Sequence, residues 1–243
     1  MVMMWIRRKD QRGYFDHEWL QTWHTFSFGQ YHDPRFMNFE SIRVINEDII
    51  HPEKGFGEHS HHDMEILTWV LEGRLSHYDS LGNHDHIVPL QAQIMSAGTG
   101  IRHSEFNASP TRPVHLLQIW IIPENTGLEP RYDQTQLLPS DVKNRWATLA
   151  SRHPTNGALK IFQDVEIYVA RLDLECTLSI DIRPTRSAWI QVVRGTIRIE
   201  GEQLVAGDAL AVDSPSALEL TSLKDTSEVL WFDCGKKPQP ITQ

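Results

Sequence analysis

Only two cysteines, Cys176 and Cys234, occur in 243 residues. That is too few for a disulfide framework, and the pair reads as two buried free thiols in a reducing cytoplasm. No apolar run comes near the roughly 20 residues that a membrane-spanning helix needs. The opening MVMMWIRRKDQRG lacks the n-region and h-region order of a signal peptide, so a cytoplasmic protein without membrane contact is expected. Basic charge is short as well. Against 32 acidic residues stand 23 Lys and Arg, a net charge of −9, which is the opposite of a direct nucleic-acid surface. Helical periodicity is scarce, with HEWLQTW and PSDVKNRWATLAS the two best short candidates. There is no Gly-rich phosphate loop and no Ser-centred nucleophile elbow, which leaves kinase and hydrolase readings without support.

What fills the chain instead is alternation of period two, punctuated by Gly, Pro and Asn, the pattern of strands in sandwiches or barrels. FESIRVINEDII, MEILTWVLEG, LQAQIMSAG, PVHLLQIWIIP, LKIFQDVEIYVARL, AWIQVVRGTIRIEG and EVLWFDCG all read this way. The pattern also repeats. LTWVLEGRL leads through a turn to LQAQIMSAGTGIRH, as WIQVVRGTIRIEG leads to LVAGDALAVDSPSALEL. Anchored on Gly73 and Gly195, the repeat predicts an all-β fold of two β-barrels of one type, joined within the linker-like PENTGLEPRYDQTQLLPSD.

Histidine is abundant: there are 13, five of them between His59 and His84. In GFGEHSHHDMEILTWVLEG, His59 and His61 are two apart and therefore share one face of a strand. GTGIRHSEFN repeats the spacing with His103 and Glu105. Alone, His59 with His61 reads equally well as a solvated loop pair, and His103 with Glu105 is a weaker signal still, since a His–Glu pair is often a surface hydrogen bond. Together, inside Gly-bounded strands, three imidazoles and a carboxylate point to one ion of the transition series, such as Fe, Mn, Ni, Cu or Zn, rather than Mg or Ca. Four protein ligands on an octahedral ion would leave two positions open for substrate or dioxygen.

GFGEHSHHDMEILTWVLEG followed by IMSAGTGIRHSEFN resembles the two signature segments of cupin barrels, in the wording of the pirin family and especially its bacterial quercetin 2,3-dioxygenase-like members. WHTFSFGQYHDP and ESIRVINEDI fit the same family. The resemblance is most specific from Trp19 to Pro123 and weak in the second half. It implies a bicupin: a metal-binding barrel over residues 1–130 and a degenerate, metal-free barrel over 131–243. It places His59, His61, His103 and Glu105 as metal ligands. Iron is the first choice, with Mn, Ni, Cu, Co and Zn as alternatives. It also implies a dioxygenase that opens a flavonol with O2 and releases CO, with Glu105 as the catalytic proton acceptor. The family's other known role, a redox-responsive transcriptional cofactor with a protein partner, is the alternative; an isomerase or decarboxylase on the same scaffold is a third.

Glu65 lies where many cupins carry their carboxylate ligand; the resemblance favours Glu105 in that role and leaves Glu65 to orient a ligand from behind. His62 has the opposite parity to His61 and should face away. His24 is read as shaping the pocket mouth or packing among aromatics. His77, His84 and His86, in SHYDSLGNHDH, are expected in solvent, and Trp69, Trp120, Trp189 and Trp231 in the core or at a barrel interface. Counting back from Gly195, the second half carries Asp181 and Arg183 where the first has His59 and His61, and Leu218 to Leu220 where the first has His103 to Glu105.

Overall fold

Period-two alternation becomes strand almost throughout the computed structural model, which describes residues 4–236. The chain divides into two compact units. One comprises Arg12–Leu138 with Ala150–Gln163; the other takes the chain up to Gln11, Pro139–Leu149 and everything from Asp164 on.

In the first unit the strands Arg131–Gln136, Gln91–Ser96, Glu65–Glu72, Val114–Ile121, Ile42–Ile50, Leu20–His24 and Gly13–Asp16 lie side by side in that order. A shorter sheet runs Gly55–His61, Ile101–Asn107, Leu75–Asp79, His84–Ile87. Leu75 and Ile87 of the short sheet pack with Leu20, Ile50, Val70, Val114 and Leu116 of the long one. That cluster joins the two sheets.

The second unit repeats the order. Met4–Arg7, Ala209–Val212, Arg186–Arg194, Ser227–Gly235 and Val165–Leu172 follow one another in its larger sheet. Thr177–Ile182, Ser216–Ser222, Thr196–Ile199 and Glu202–Val205 form the smaller one. The anchors of the repeat are structurally equivalent. Gly73 and Gly195 both have positive φ, +81° and +76°. At each, an added Cβ would collide with backbone at the start of the strand paired with the one the glycine ends: the Pro113 carbonyl oxygen at 2.6 Å and Ser227 Cα at 2.8 Å. Only glycine fits both the conformation and the approach.

Three expectations need correction. The cut at 130/131 is displaced at both ends of the first barrel: Met4–Arg7 pairs with Ala209–Val212 in the second unit, and Arg131–Gln136 pairs with Gln91–Ser96 in the first. Each larger sheet thus gains an edge strand from the far side of the expected boundary, which satisfies an otherwise open row of backbone donors and acceptors. Second, HEWLQTW contributes to the strand Leu20–His24, and PSDVKNRWATLAS holds only the four-residue helix Pro139–Val142 before the strand Ala147–Ser151. Pairing with neighbouring strands overrides the weak local preference. Third, Cys176 and Cys234 are both free, but only Cys234 is fully buried. Among the described residues no helix is long and apolar enough to cross a membrane.

Candidate metal centre

The strand Gly55–His61 puts His59 and His61 on one face, and its neighbour Ile101–Asn107 buries His103 and Glu105 while exposing Arg102 and Phe106. His59 stands directly opposite His103. The register then slips between His103 and Glu105, so that Glu105 faces Phe56 on that side. His103 Nε2 lies 3.0 Å from His59 Nε2 and 3.0 Å from His61 Nε2.

Three ring nitrogens so close need a common partner. His59 Nδ1 donates to the Gly57 carbonyl at 2.8 Å, which fixes its tautomer and leaves its Nε2 lone pair free. Burial, then the charge of neighbouring imidazoles, lowers His61 to about 4 and His103 to about 3. Both are therefore neutral at pH 7 and offer lone pairs. A single hydrogen on His103 Nε2 cannot be shared well between two acceptors, whereas a cation accepts all three lone pairs. The donor set fits a transition metal.

Glu105 joins the centre through His103. The ligand atoms of His59, His61 and His103 lie within 4.8 Å of one another, and those of His77, His103 and Glu105 form a second such group sharing His103. The Glu105 carboxylate is held from behind: Oε1 accepts Gln93 Nε2 at 2.7 Å and Oε2 accepts Gln118 Nε2 at 2.7 Å, with the Thr68 hydroxyl at 3.4 Å from Oε1. Gln93, Thr68 and Gln118 stand directly opposite one another on three adjacent strands of the long sheet. The sequence carried a signal for them, since each is a polar residue inside an apolar run, where desolvation is unfavourable without a partner.

Other expected roles divide. His62 is exposed and pairs with Asp63 at 2.7 Å, facing away as its parity requires. Glu65 touches none of the imidazoles; its Oε2 accepts Ser96 Oγ at 3.0 Å and the Phe162 N–H at 3.2 Å, so it is a structural anchor rather than a ligand's orienter. His84 and His86 are exposed as expected, but His77 is fully buried, with Nε2 bonded to Asp79 at 3.0 Å and its ring stacked on Tyr132. The turn of SHYDSLGNHDH begins later than its composition suggests, because Leu75–Asp79 is strand and His77 has the inward parity of Leu75. Trp69 and Trp189 are core and Trp231 nearly so, whereas Trp120 meets the His61 ring edge-on at 4.9 Å and lines a cavity.

That cavity, of about 550 Å³, opens between the two sheets of this unit. His59, His61 and Glu105 line it on one side, and Phe15, Trp19, Phe28, Phe56 and Trp120 supply aromatic walls. His24 also lines it, packed edge-on to Phe28, so both expected roles of His24 hold. In the second unit the equivalent space is hydrocarbon. Leu218 and Leu220 are buried as the repeat requires, but opposite Leu218 stands Ile180, not Asp181. Ile180 and Ile182 point inward, while Asp181 is exposed and Arg183 pairs outward with Asp233 at 3.1 Å. The count from Gly195 is one residue out, and a one-residue slip exchanges the faces of a strand.

Comparison with known families agrees with this architecture. Residues 6–121 match the Pirin family, and residues 148–234 match the quercetinase C-terminal cupin domain. A curated relative, quercetin 2,3-dioxygenase of Escherichia coli K12, is 46% identical over 95% of this chain and 98% of its own length. The chain belongs to the pirin family. The crystal structure of the bacterial pirin YhhW from Escherichia coli in complex with nickel(II) superposes with a TM-score of 0.92 at 45% identity, covering 97% of this chain and 100% of that one. The pirin-like protein of Caulobacter vibrioides is 36% identical over 91% of this chain and 95% of its own length. This pirin is therefore a bicupin, and its two cupin units are those described above.

Proposed function

We propose that this pirin is a metal-dependent dioxygenase that opens the heterocycle of a flavonol with O2 and releases carbon monoxide, as the name of the Escherichia coli relative suggests. The observation that carries the reading is the convergence of three imidazoles, with His103 Nε2 3.0 Å from the Nε2 atoms of both His59 and His61, at an aromatic-walled cavity that Glu105 also lines. His59, His61, His103 and Glu105 are the proposed ligands, in the first unit only. A transition metal bound there would lower the pKa of a coordinated enol or phenol and present it together with O2.

The chain's own residues account for the rest. Phe28, Phe56 and Trp120 offer flat surfaces to a fused aromatic ring. Glu105 is placed to take the proton of the flavonol 3-hydroxyl, and Gln93 and Gln118 hold both of its oxygens so that the carboxylate cannot swing away.

Protein loaded in turn with Fe(II), Mn, Ni, Cu and Co is expected to consume quercetin and O2 together and to release CO with at least one of them. No oxygen uptake with any flavonol at full occupancy would end the dioxygenase reading.

A further inference from the structure

The wall of the cavity facing the imidazoles carries polar groups that the chemistry at the metal does not use. On the long sheet, Thr22 and His24 stand directly opposite Asp48 and Asn46 on the neighbouring strand, and all four line the cavity. They are 3–7% exposed. Three of their atoms have no hydrogen-bond partner: His24 Nδ1, Asn46 Oδ1 and Asp48 Oδ1. The Thr22 hydroxyl satisfies only part of the Asp48 carboxyl. The quartet also continues a row. Gln118, which holds Glu105, stands directly opposite Asn46, and Asn46 opposite His24. One end of this polar row is thus consumed in fixing the carboxylate, and the other is buried beside the cavity with three of its atoms unbonded.

Buried polar atoms of this kind are unfavourable unless something bonds them. Two of the three, the Asn46 and Asp48 oxygens, are side-chain oxygens that would accept a hydrogen bond, so the missing partner is a donor. Burial pushes the Asp48 carboxyl up to about 7, which makes a neutral O–H donor a better match than a cation. The surrounding Phe15, Trp19 and Phe28 suit an aromatic ring.

We propose that Asp48, supported by Asn46 and His24, is the specificity-determining site of this pirin, accepting a hydrogen bond from a phenolic hydroxyl of the aromatic substrate other than the one held at the metal. The inference rests on the dioxygenase reading for its substrate class, but not for its binding geometry. It narrows that class to polyhydroxylated aromatics, because a ring without a second hydroxyl donor would leave the Asp48 and Asn46 oxygens stranded.

Two flavonols that differ only in ring hydroxylation, quercetin and 3-hydroxyflavone, test it in metal-loaded wild type and in Asp48→Leu, which removes both acceptor oxygens at similar size. Wild type is expected to prefer quercetin roughly 10- to 100-fold in kcat/KM, the range for one hydrogen bond to a carboxyl, and Asp48→Leu to lose most of that preference. A wild type that does not discriminate, or a variant that lowers both substrates alike, would overturn the proposal. Equilibrium binding of the same two compounds, followed by quenching of tryptophan fluorescence, separates the two ideas. If no flavonol is turned over but quercetin still binds more tightly than 3-hydroxyflavone in an Asp48-dependent way, the dioxygenase reading falls and the recognition site stands. Equal binding of the two compounds by wild type would remove the site whatever the activity.

Discussion

Replacing Glu105 by Gln tests separately the two proposed roles of this carboxylate, as a ligand and as a base. Its two oxygens each accept an amide N–H at 2.7 Å, from Gln93 and Gln118. Neither amide is free to turn over. Gln93 Oε1 accepts the Tyr132 hydroxyl at 3.0 Å, and Gln118 Oε1 accepts Trp120 Nε1 at 3.3 Å. Both therefore present donors, and only a group with two acceptor oxygens satisfies both; a glutamine offers one oxygen and one NH2. The substituted side chain must turn from one partner, and it has no charge to offer a cation. Loss of a residue that merely orients a ligand lowers metal affinity about 10- to 100-fold, so loss of a ligand's charge should cost at least that much. Metal titration followed by elemental analysis measures this first loss. At saturating metal a second loss should remain, of about 10²- to 10⁴-fold in kcat, if Glu105 takes the substrate proton. Glu105→Asp keeps the charge but is one methylene too short to meet both amides, and should recover occupancy better than rate. A fully metallated Glu105→Gln enzyme within about tenfold of wild type, below the usual range for a lost base, would refute the role of proton acceptor. Unchanged metal affinity would refute the role of ligand.

Further outcomes follow from other parts of the chain. His61→Ala should abolish metal retention, whereas His62→Ala, at an exposed side chain paired only with Asp63, should keep one ion per chain in the same analysis. Gly195→Ala forces a left-handed residue and drives a Cβ to 2.8 Å from Ser227 Cα, while Gly201→Ala has the same strain, at φ +80°, with nothing within 4 Å. Calorimetry should show about 1–2 kcal/mol lost at Gly201 and roughly 1–3 kcal/mol more at Gly195 from overpacking; equal losses would deny the close approach. Asp48 gives a pH dependence. Its native carboxyl is raised from 3.8 to about 7 by burial, so the folded state holds the proton more tightly than the unfolded one, and its contribution to stability is lost as pH rises from about 4 to 7. Asp48→Asn should therefore flatten the fall in stability over that window by on the order of 3–4 kcal/mol, and a variant whose pH profile matches wild type would contradict the burial argument.

The strands and the repeat were legible because parity along a strand is a property of neighbouring residues alone. His59 with His61, and His103 with Glu105, needed only the period of two. What was not legible depends on pairing across the sheet. The run around His77, rich in Ser, Asp, Gly and Asn, reads as a solvated turn, yet its backbone begins as the partner of Ile101–Asn107. Glu65 shares the buried parity, but its strand leads it to Ser96 and the Phe162 N–H instead of the imidazoles. The edge strands Met4–Arg7 and Arg131–Gln136 lie across a cut at 130/131 for the same reason: nothing local in either segment names its partner.

The second unit shows what that pairing information decides. His59 faces His103 in one barrel, and Ile180 faces Leu218 at the equivalent place in the other. The scaffold is the same and the filling is opposite. Ile180, Ile182, Leu218 and Leu220 are buried in one hydrophobic cluster and satisfy one another, so that barrel closes without an outside partner. Three imidazoles at the same position cannot do this. Desolvation has made His61 and His103 neutral, their lone pairs converge, and the carboxylate beside them is already tied to two amides. The first barrel therefore gathers a donor set that suits a cation, while the matching place in the second is filled with hydrocarbon. It follows that a histidine pair placed at Ile180 and Ile182, rather than at Asp181 and Arg183, is the change that would bring imidazoles into the second barrel's interior. Residues at Asp181 and Arg183 would point into solvent, however well they complete the motif in the sequence.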